Sequence, residues 1–260
     1  MKPITIFSEM PNSNDQIEVL FWVGCAGSFD LRAQKITQSF VSILQKLDIN
    51  FAILGTEEMC TGDPARRAGN EFLFQMMAYQ NIQILNQYSF KKIVTTCPHC
   101  FHTLKNEYPQ IGGNYQVLHH TEFLQELFLS GKLRIKSEHE FQNKSITYHD
   151  SCYLGRMNNI YEAPRELIDA LKIELTELKR CKSKGLCCGA GGGQMFKEDE
   201  AGKKRISTER AEDIKESNVD IVATACPFCA TMVSDGLQSI SQNNVKVMDI
   251  SELIATTLND

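Results

Sequence analysis

The cysteines constrain this chain most, because most of them recur in two sets at a nearly fixed spacing along the sequence. Four cysteines of the first half each have a counterpart 127 or 129 residues later. The pairs are Cys25 and Cys152, Cys60 and Cys187, Cys97 and Cys226, and Cys100 and Cys229. The neighbouring text repeats as well, since Thr-Thr-Cys-Pro-His-Cys at 95–100 is answered by Thr-Ala-Cys-Pro-Phe-Cys at 224–229. The sequence therefore predicts a duplicated module with a thiol-rich site in each copy.

Short apolar runs alternate with longer helical patterns in both halves, which is typical of an α/β fold with mainly parallel sheets and covering helices. In the first half the predicted strands are Val19–Val23, Phe51–Leu54, Lys92–Thr95 and Gln116–His119, and the predicted helices are Leu31–Leu47, Arg66–Leu85, Phe101–Tyr108 and Glu122–Ser130. In the second half the predicted strands are Ser145–His149, Glu174–Leu178, Ile221–Ala223 and Lys246–Met248, and the predicted helix is Lys203–Glu216. We therefore expect two pseudo-symmetric repeats with cysteine loops at the strand ends.

The module boundaries follow from the repeat and from a polar stretch between its copies. We predict a first cysteine-rich module over residues 1–130, a linker over 131–144 and a second module over 145–260. Thr121 and Ser251 occupy matching positions and are the predicted N-caps of the last helix in each module. Open parallel sheets assemble binding sites beyond the carboxyl ends of their strands. One edge of each module is therefore expected to collect the sulfur atoms.

Ten cysteines among 260 residues favour metal ligation or redox chemistry, because a reducing cytosol disfavours structural disulfides. Residues 1–16 lack the charged segment and apolar core of a secretory signal, so we expect a cytoplasmic protein. The net charge of -5 provides no basic patch for nucleic acid. The apolar runs are too short to cross a bilayer, so we expect attachment to the inner face of the membrane only through a partner.

The second half offers five thiolates, one more than a tetrahedral zinc site needs. They belong to Cys152, Cys187, Cys188, Cys226 and Cys229. Thiolates are natural ligands of iron–sulfur clusters, and a glycine-rich segment allows backbone N–H groups to approach a cluster closely. Gly189, Gly191 and Gly192 are therefore predicted cofactor contacts. The same segment is a poor dinucleotide-binding fingerprint, because Gln194 stands where the last glycine belongs.

The first half offers four thiolates, because Thr61 stands where the second half has Cys188. The four belong to Cys25, Cys60, Cys97 and Cys100. By ligand count they suit a cubane [4Fe-4S] cluster and an all-cysteine zinc site equally well. We favour the cluster and keep zinc as the alternative. Cys181 has no counterpart in the first half and is predicted to be a free thiol.

Two other functions stay open at this point. Cys97-Pro-His-Cys100 has the spacing of a thiol–disulfide oxidoreductase, in which a helix start lowers the pKa of the nucleophilic thiol. The other cysteines at duplicated offsets count against it, since dithiol chemistry does not need them. A zinc-stabilised scaffold without a redox role is the second alternative, which colourless protein with stoichiometric zinc would favour.

No acid–base pair stands out in the sequence. We therefore expect several other polar and apolar side chains to have structural roles. His149 and Asp150 precede Cys152 by three and two residues, where they could tune a cluster or move a proton near it. We favour hydrogen bonding at a strand end for both and a structural role for His119 and His120. The apolar side chains Phe72, Met76 and Tyr79 recur at helical spacing, which indicates either core packing or a subunit contact.

The arrangement Cys152, Cys187-Cys188-Gly189 and Cys226-Pro-Phe-Cys229 resembles the cysteine-rich "CCG" domain found in heterodisulfide reductase. Similar modules occur in the iron–sulfur subunits of glycolate oxidase and anaerobic glycerol-3-phosphate dehydrogenase. The stretches at 60–67 and 148–155 resemble the membrane-linked iron–sulfur oxidoreductases associated with electron-transfer flavoprotein and acyl-CoA oxidation. The resemblance extends over residues 18–258, and two copies match in order and spacing.

The resemblance implies an oxidoreductase subunit that relays electrons between a flavin or ferredoxin partner and a quinone or disulfide acceptor. It also implies a non-cubane [4Fe-4S] cluster on the five cysteines of the second half, whereas Thr61 departs from that pattern in the first. Relatives often carry a ferredoxin-like segment, but this chain has no Cys-x-x-Cys-x-x-Cys-x-x-x-Cys-Pro run. The implied partner is therefore a separate ferredoxin-like or flavoprotein subunit, membrane-anchored in some relatives.

Overall fold

Two parallel sheets form the framework of the computed structural model, which describes residues 2–10, 17–198 and 201–258. The strands of the first module are β1 (Thr5–Ile6), β2 (Ile17–Trp22), β3 (Phe51–Ile53), β4 (Phe90–Thr95) and β5 (Val117–His119). Its helices are α1 (Gly24–Phe29), α2 (Leu31–Lys46), α3 (Asp63–Arg67), α4 (Glu71–Leu85), α5 (Pro98–His102) and α6 (His120–Leu129). The α/β fold with helix-flanked parallel sheets confirms the expected fold class.

The first sheet has five parallel strands in the order β1-β3-β2-β4-β5. Its two central strands pair in register, with Leu20 opposite Ile93 and Trp22 opposite Thr95. Because β2 is covered on both faces, its sequence is a nearly continuous apolar run rather than an alternating one, and β4 has the same character in its last half, from Ile93 to Thr95. The short strand β1 was not predicted, since two residues give no periodic signal.

The second module repeats this plan with a three-stranded parallel sheet in the order β6-β7-β8. Its strands are β6 (Ile146–Tyr148), β7 (Ile221–Thr224) and β8 (Lys246–Asp249), and its helices are α7 (Gly155–Asn158), α8 (Glu162–Ala170), α9 (Ile206–Glu216), α10 (Pro227–Ser239) and α11 (Ile250–Thr257). The prediction of a strand over 174–178 was wrong. Leu175 forms only an isolated parallel bridge with Ile146 of β6. This bridge corresponds to the pairing of β3 with β2 in the first sheet.

Two predicted helices differ from the structure. The helix predicted over 66–85 is interrupted: α3 ends at Arg67, Gly69 adopts φ +85°, and Asn70 begins α4 by accepting a hydrogen bond from the Leu73 N–H. A left-handed residue cannot continue a right-handed helix, which explains the break. The helix predicted over 101–108 begins earlier, at Pro98, and continues after α5 as a π-helical turn over Thr103–Glu107.

The predicted caps of the last helices were two residues too late. His119 caps α6 and Asp249 caps α11, and each accepts a hydrogen bond from the backbone N–H two residues later. Glu122 and Glu252 return a hydrogen bond to the backbone N–H of their caps, which completes a capping box at both helices. Both modules therefore keep the same helix start with chemically different caps.

The two modules share one hydrophobic core, to which strands and helices of both contribute. Arg32 of α2 forms a bidentate ion pair with Glu252 of α11, and the fully buried His120 Nε2 lies 3.0 Å from Asp249 Oδ1. Within the predicted linker, Leu133 and Phe141 are buried in the same core. In the part of the chain that the structure describes, no helix has the length and apolar character needed to cross a bilayer.

Candidate metal centre

The cysteines of both modules gather where the central strands end. Cys25 lies in α1 just beyond β2, and Cys152 follows β6 at a similar distance. Each Cys-x-x-Cys pair starts a helix directly after a strand, with Cys97 as the N-cap of α5 and Cys226 as the N-cap of α10. At such a helix start the backbone N–H groups and the positive end of the helix dipole favour thiolate.

The four thiols of the first module form two neighbouring pairs. A hydrogen bond from Cys25 to Cys60 raises the pKa of Cys25 and lowers that of Cys60 to about 7. The second pair behaves alike, because a hydrogen bond from Cys100 holds the pKa of Cys97 well below its ordinary value and raises that of Cys100. Each pair therefore holds one thiolate readily, which is the form that metals bind.

The five thiols of the second module form a continuous group. Cys188 Sγ lies 3.3 Å from Cys229 Sγ, and the thiols of Cys152 and Cys188 both hydrogen-bond to Cys187. These bonds, with a backbone N–H donated by Gly189 at 3.3 Å, hold the pKa of Cys187 far below its ordinary value. The structure thus brings together all five cysteines predicted for this site.

A thiol contact joins the two groups. The pKa of Cys97 is lowered by interaction with the thiol of Cys100 and also with that of Cys226 in the second module, so the Cys226 side chain lies beside Cys97. Both residues are buried at the starts of α5 and α10. The two groups of thiols therefore approach each other across the boundary between the modules.

The remaining predicted site residues have different surroundings. Gly189 contacts Cys187 and adopts φ +96°, a conformation that favours glycine. A Cβ at Gly191 or Gly192 would meet no described heavy atom within 4 Å, so neither glycine is required for close packing within the described chain. Cys181 is partly exposed, and its pKa is raised by burial and by the nearby Glu177 rather than by another thiol.

Thr61 takes the place of a fifth thiol in the first module. It is buried, and its Oγ1 lies 4.0 Å from Cys100 Sγ, as Cys188 Sγ faces Cys229 Sγ in the second module. Nearby, Glu58 accepts hydrogen bonds from the backbone N–H groups of Val23 and Gly24 at the start of α1. Burial raises the pKa of Glu58 to about 7.

Beside the second group, His149 follows β6 and is fully buried. Its Nδ1 accepts a hydrogen bond from Arg210 Nε at 2.9 Å. Burial and the Arg210 charge lower the pKa of His149 to about 3, so the ring is neutral. Arg210 itself is fully buried, donating to Asp213 at 2.7 Å and to the Arg180 carbonyl at 2.9 Å.

Asp150 organises the loops that carry the second group. It accepts a bidentate ion pair from Arg165 of α8 at 2.9 and 3.0 Å, and a hydrogen bond from the Lys182 backbone N–H at 2.7 Å. Arg165 also binds Glu177 at 2.6 Å. Since Asp150 lies two residues before Cys152, this network ties that cysteine to the segment leading to Cys187.

The surface between the modules carries aromatic and charged side chains. His99 stacks on Tyr153 with ring centroids 4.0 Å apart, and its Nδ1 lies 2.9 Å from Asp63 Oδ2. Hydrogen bonding to Asp63 and the charge of Cys97 raise the pKa of His99 against the opposing effect of its burial. Phe228 meets the His99 ring edge-on.

Sequence reasoning missed Arg210 and Glu58 as neighbours of the site. A signal for Arg210 was present, because Ser207, Arg210, Ala211 and Ile214 share the buried face of α9 at helical spacing. An arginine on such a face requires buried partners. No comparable signal marks Glu58, whose partners are backbone groups 34 and 35 residues away.

The exposure of three apolar residues of α4 distinguishes between the two interpretations that the sequence left open, core packing and a subunit contact. Phe72, Met76 and Tyr79, here called the α4 stripe, are 77%, 46% and 60% exposed. They do not belong to the core of the described chain, which leaves a subunit contact as the interpretation.

The sulfur-only donor set fits an iron–sulfur cluster. Thiolates select zinc and iron–sulfur clusters over hard cations, and five converging thiolates exceed the four of a closed zinc site. The low pKa of Cys187 and the backbone N–H groups aimed at Cys187 and Cys226 are what a cluster with charged thiolate ligands requires.

Comparison with known proteins gives two matches to the model of one family, the cysteine-rich domain (CCG), at residues 19–105 and 146–234. The chain is 42% identical to "EtfAB:quinone oxidoreductase" of Syntrophomonas wolfei, over 94% of this chain and 35% of that protein. It is 44% identical to the "Probable iron-sulfur-binding oxidoreductase FadF" of Bacillus subtilis, over 98% of this chain and 36% of that protein. The chain thus spans about a third of the length of these relatives.

Two further matches are more distant. The chain is 34% identical to one polypeptide of the dihydromethanophenazine:CoB–CoM heterodisulfide reductase of Methanosarcina barkeri, over 94% of this chain and 60% of that protein. Among solved structures, a hypothetical protein from Helicobacter pylori matches with a TM-score of 0.59 and 10% identity, over 99% of this chain and 51% of that chain. The latter match bears on the fold alone.

Proposed function

Because this chain belongs to the cysteine-rich domain (CCG) family, we propose that it is an iron–sulfur electron-transfer subunit of an oxidoreductase. The observation that carries the proposal is the gathering of nine cysteine thiols in two groups, which approach each other at Cys97 and Cys226. A zinc scaffold has no need for two metal centres in contact. Two redox centres in contact, by contrast, allow an electron entering at one to leave at the other.

The two centres differ in their ligands. In the second module, Cys152, Cys187, Cys188, Cys226 and Cys229 would hold a [4Fe-4S] cluster with five thiolates, of the non-cubane type that the resemblance implies. In the first module, Cys25, Cys60, Cys97 and Cys100 would hold a [4Fe-4S] cluster with four. Thr61 supports the distinction, because its hydroxyl occupies the position of the fifth sulfur.

The protein's own groups set the position and potential of such clusters. A bound cluster would supply one-electron chemistry. Gly189 donates its N–H towards Cys187, and the Cys229 N–H lies 3.5 Å from Cys226 Sγ. These donors stabilise negative charge on sulfur, which favours the reduced state. Asp150, fixed by Arg165, keeps the loops around Cys152 in place.

The electron donor and acceptor lie outside this chain. Relatives named EtfAB:quinone oxidoreductase and heterodisulfide reductase support a flavoprotein or ferredoxin-like donor and a quinone or disulfide acceptor. The exposed α4 stripe supports contact with a second subunit, since such a face is typical of protein interfaces. Another relative, named a "Probable membrane-anchored ferredoxin" of Chromohalobacter salexigens, supports association with a membrane.

Burial weighs against the thiol–disulfide alternative. Cys97 and Cys100 are 2% and 7% exposed, so a disulfide substrate has little access to the sulfur of the Cys-x-x-Cys motif. Reactive thiols in such enzymes are partly exposed. The low pKa of Cys97 is better explained by its role as a metal ligand.

Metal analysis of anaerobically purified protein tests the proposal. We expect about eight iron and eight acid-labile sulfide per chain, as two four-iron clusters require. We also expect two electron paramagnetic resonance signals with different ligand environments. Cys97→Ser should remove iron and alter both signals, whereas Cys181→Ser should leave iron and signals unchanged. Stoichiometric zinc without iron would refute the electron-transfer function.

A further inference from the structure

His149 carries a buried ring nitrogen that the rest of the fold does not use. Its Nε2 has no hydrogen-bond partner among the described residues, although the side chain is fully buried. One nitrogen of the ring, Cys188 Sγ and Cys229 Sγ all lie within 4.8 Å of one another, and since Arg210 already binds Nδ1, Nε2 is the ring nitrogen available to the sulfur atoms. A buried N–H without a partner costs free energy, so its retention beside the sulfur atoms indicates an acceptor at that site.

Arg210 determines which ring nitrogen carries the proton. A guanidinium group only donates hydrogen bonds and stays protonated, so the nitrogen that faces Arg210 Nε, which is Nδ1, must be the acceptor. The neutral ring therefore has its proton on Nε2. Asp213 and the Arg180 carbonyl fix Arg210 on its other side, which makes the tautomer a fixed property of the fold.

This tautomer excludes His149 as a metal ligand. Ligation through Nε2 would move the ring proton to Nδ1, where it would face the N–H of Arg210. Two donors in contact within a buried site are unfavourable. The group of His149, Cys188 and Cys229 thus has metal-site spacing, but only its sulfur atoms are suited to bind the metal.

The first module offers a parallel at the corresponding position. Trp22 ends β2 three residues before Cys25, as His149 lies three residues before Cys152. Trp22 is also fully buried, and its Nε1 has no partner among the described residues. Indole Nε1–H can only donate. Both modules thus keep a buried ring N–H at the end of the strand that leads to their first cysteine.

We propose that His149, held by Arg210, is a positioning residue that donates a hydrogen bond from Nε2–H to a sulfur of the second iron–sulfur centre and so raises its reduction potential. The proposal rests on the proposed function, since it requires a cluster there. The physical reason is that reduction adds negative charge to the cluster, and a fixed N–H dipole directed at its sulfur stabilises the reduced form more than the oxidised one.

The test is a redox titration of the complete chain, followed by the paramagnetic resonance signal of the second centre. We expect His149→Phe to retain its iron and to lose roughly tenfold in the equilibrium constant for one-electron reduction, a downward shift of about 59 mV. His149→Gln, whose amide N–H can replace the donor, should recover part of the shift. Thr147→Val, two residues earlier on the same strand face and not part of the group formed by His149, Cys188 and Cys229, should leave the potential unchanged.

A second measurement keeps the proposal testable if His149→Phe fails to retain the cluster. In wild-type protein with ¹⁵N-labelled histidine, pulsed paramagnetic resonance should show an exchangeable proton near the cluster and no nitrogen bound to iron. A directly bound nitrogen, or an unchanged potential in loaded His149→Phe, overturns the inference while leaving the electron-transfer function standing. Absence of iron from the wild-type protein overturns both.

Discussion

A single residue distinguishes the two sulfur centres. Thr61 and Cys188 occupy equivalent positions, and each faces the last cysteine of its module, at 4.0 Å from Cys100 and 3.3 Å from Cys229. Both residues are buried, so the exchange of hydroxyl for thiol changes the number of thiols in the group at a position that is enclosed in both modules. Ligand number is therefore a property that one substitution should transfer between modules.

Thr61→Cys should convert the first centre towards the type of the second. A cysteine at this position places a fifth thiolate beside Cys100, so we expect the iron content to persist and the paramagnetic resonance signal of the first centre to change. Cys188→Thr should make the opposite change in the second module, and Cys181→Ser serves as the control. An unaltered first signal in Thr61→Cys, with the new thiol free to react with alkylating reagents, would contradict this assignment.

The ion pair between Arg165 and Asp150 should contribute more to stability than the exposed ion pairs around the second group of thiols. Arg165→Met leaves the buried Asp150 carboxylate without its bidentate partner, and breaking a buried pair on one side costs about 3–5 kcal/mol. Lys182→Ala removes a solvent-exposed pair with Glu162 and should cost less than about 1 kcal/mol. Urea unfolding of the metal-free proteins measures both values, and equal losses would argue against this account of Asp150.

At the level of secondary structure, the two capping boxes have the same hydrogen-bond geometry but different capping residues. His119 and Asp249 both accept the backbone N–H two residues later, yet only one of them is a histidine. His119 Nδ1 is an acceptor, and its Nε2 lies 3.3 Å from the Thr96 carbonyl. Burial, with the neighbouring His120, holds the pKa of His119 well below its ordinary value.

This cap should make the fold sensitive to acid. Because the folded pKa of His119 lies below its unfolded value of about 6.5, the unfolded chain binds the extra proton, and stability is lost as the pH falls below about 6.5. His119→Asn keeps a cap that does not titrate, so its free energy of unfolding should fall less steeply between about pH 7 and pH 5. His139→Gln is the control, and an identical slope in His119→Asn would exclude His119 as the source.

The central strands were predicted within one or two residues, because buried parallel strands are short apolar runs with clear ends. The break between α3 and α4 was missed, although Gly69-Asn70 is a turn signal, because the apolar spacing continues across it. The strand predicted around Leu175 pairs too little to form a ladder. Local patterns thus located the buried central strands well, but helices α8 and α10 were not predicted.

At the scale of the whole molecule, the modules depend on one another. They share a core, and Arg32, Glu252, His120 and Asp249 form buried or half-buried contacts between them. The segment predicted as a linker contributes Leu133 and Phe141 to that core. We therefore propose that the boundaries at 130 and 145 mark a sequence repeat whose two copies fold as one cooperative unit.

Separate expression tests this dependence. Residues 1–130 and residues 145–260 should each be poorly folded alone, because each would expose apolar surface that the other covers. Circular dichroism and limited proteolysis of each piece, beside the full chain, measure the outcome. A protease-resistant, cooperatively unfolding module on its own would show that the modules are independent domains.

Spacing alone predicted which cysteines lie close together in each module, since the repeat aligns them after equivalent strands. It did not predict the contact between Cys97 and Cys226, because the packing of one module on the other depends on side chains distributed along the whole chain. Nor did it predict the partnership of Arg210 with His149, which joins residues 61 positions apart. The cysteines of the site could thus be predicted from the sequence pattern, whereas the contacts between distant residues could not.

The contact between Cys97 and Cys226 also bears on how the two modules are related in space. The two cysteines are counterparts in the repeat, and a residue that touches its own counterpart lies on the axis that exchanges the two copies. The two modules therefore meet as the identical subunits of a twofold homodimer would, with a cysteine of one copy facing the same cysteine of the other. A single chain does not require such copies to be identical, so one of them can carry Thr61 where the other carries Cys188.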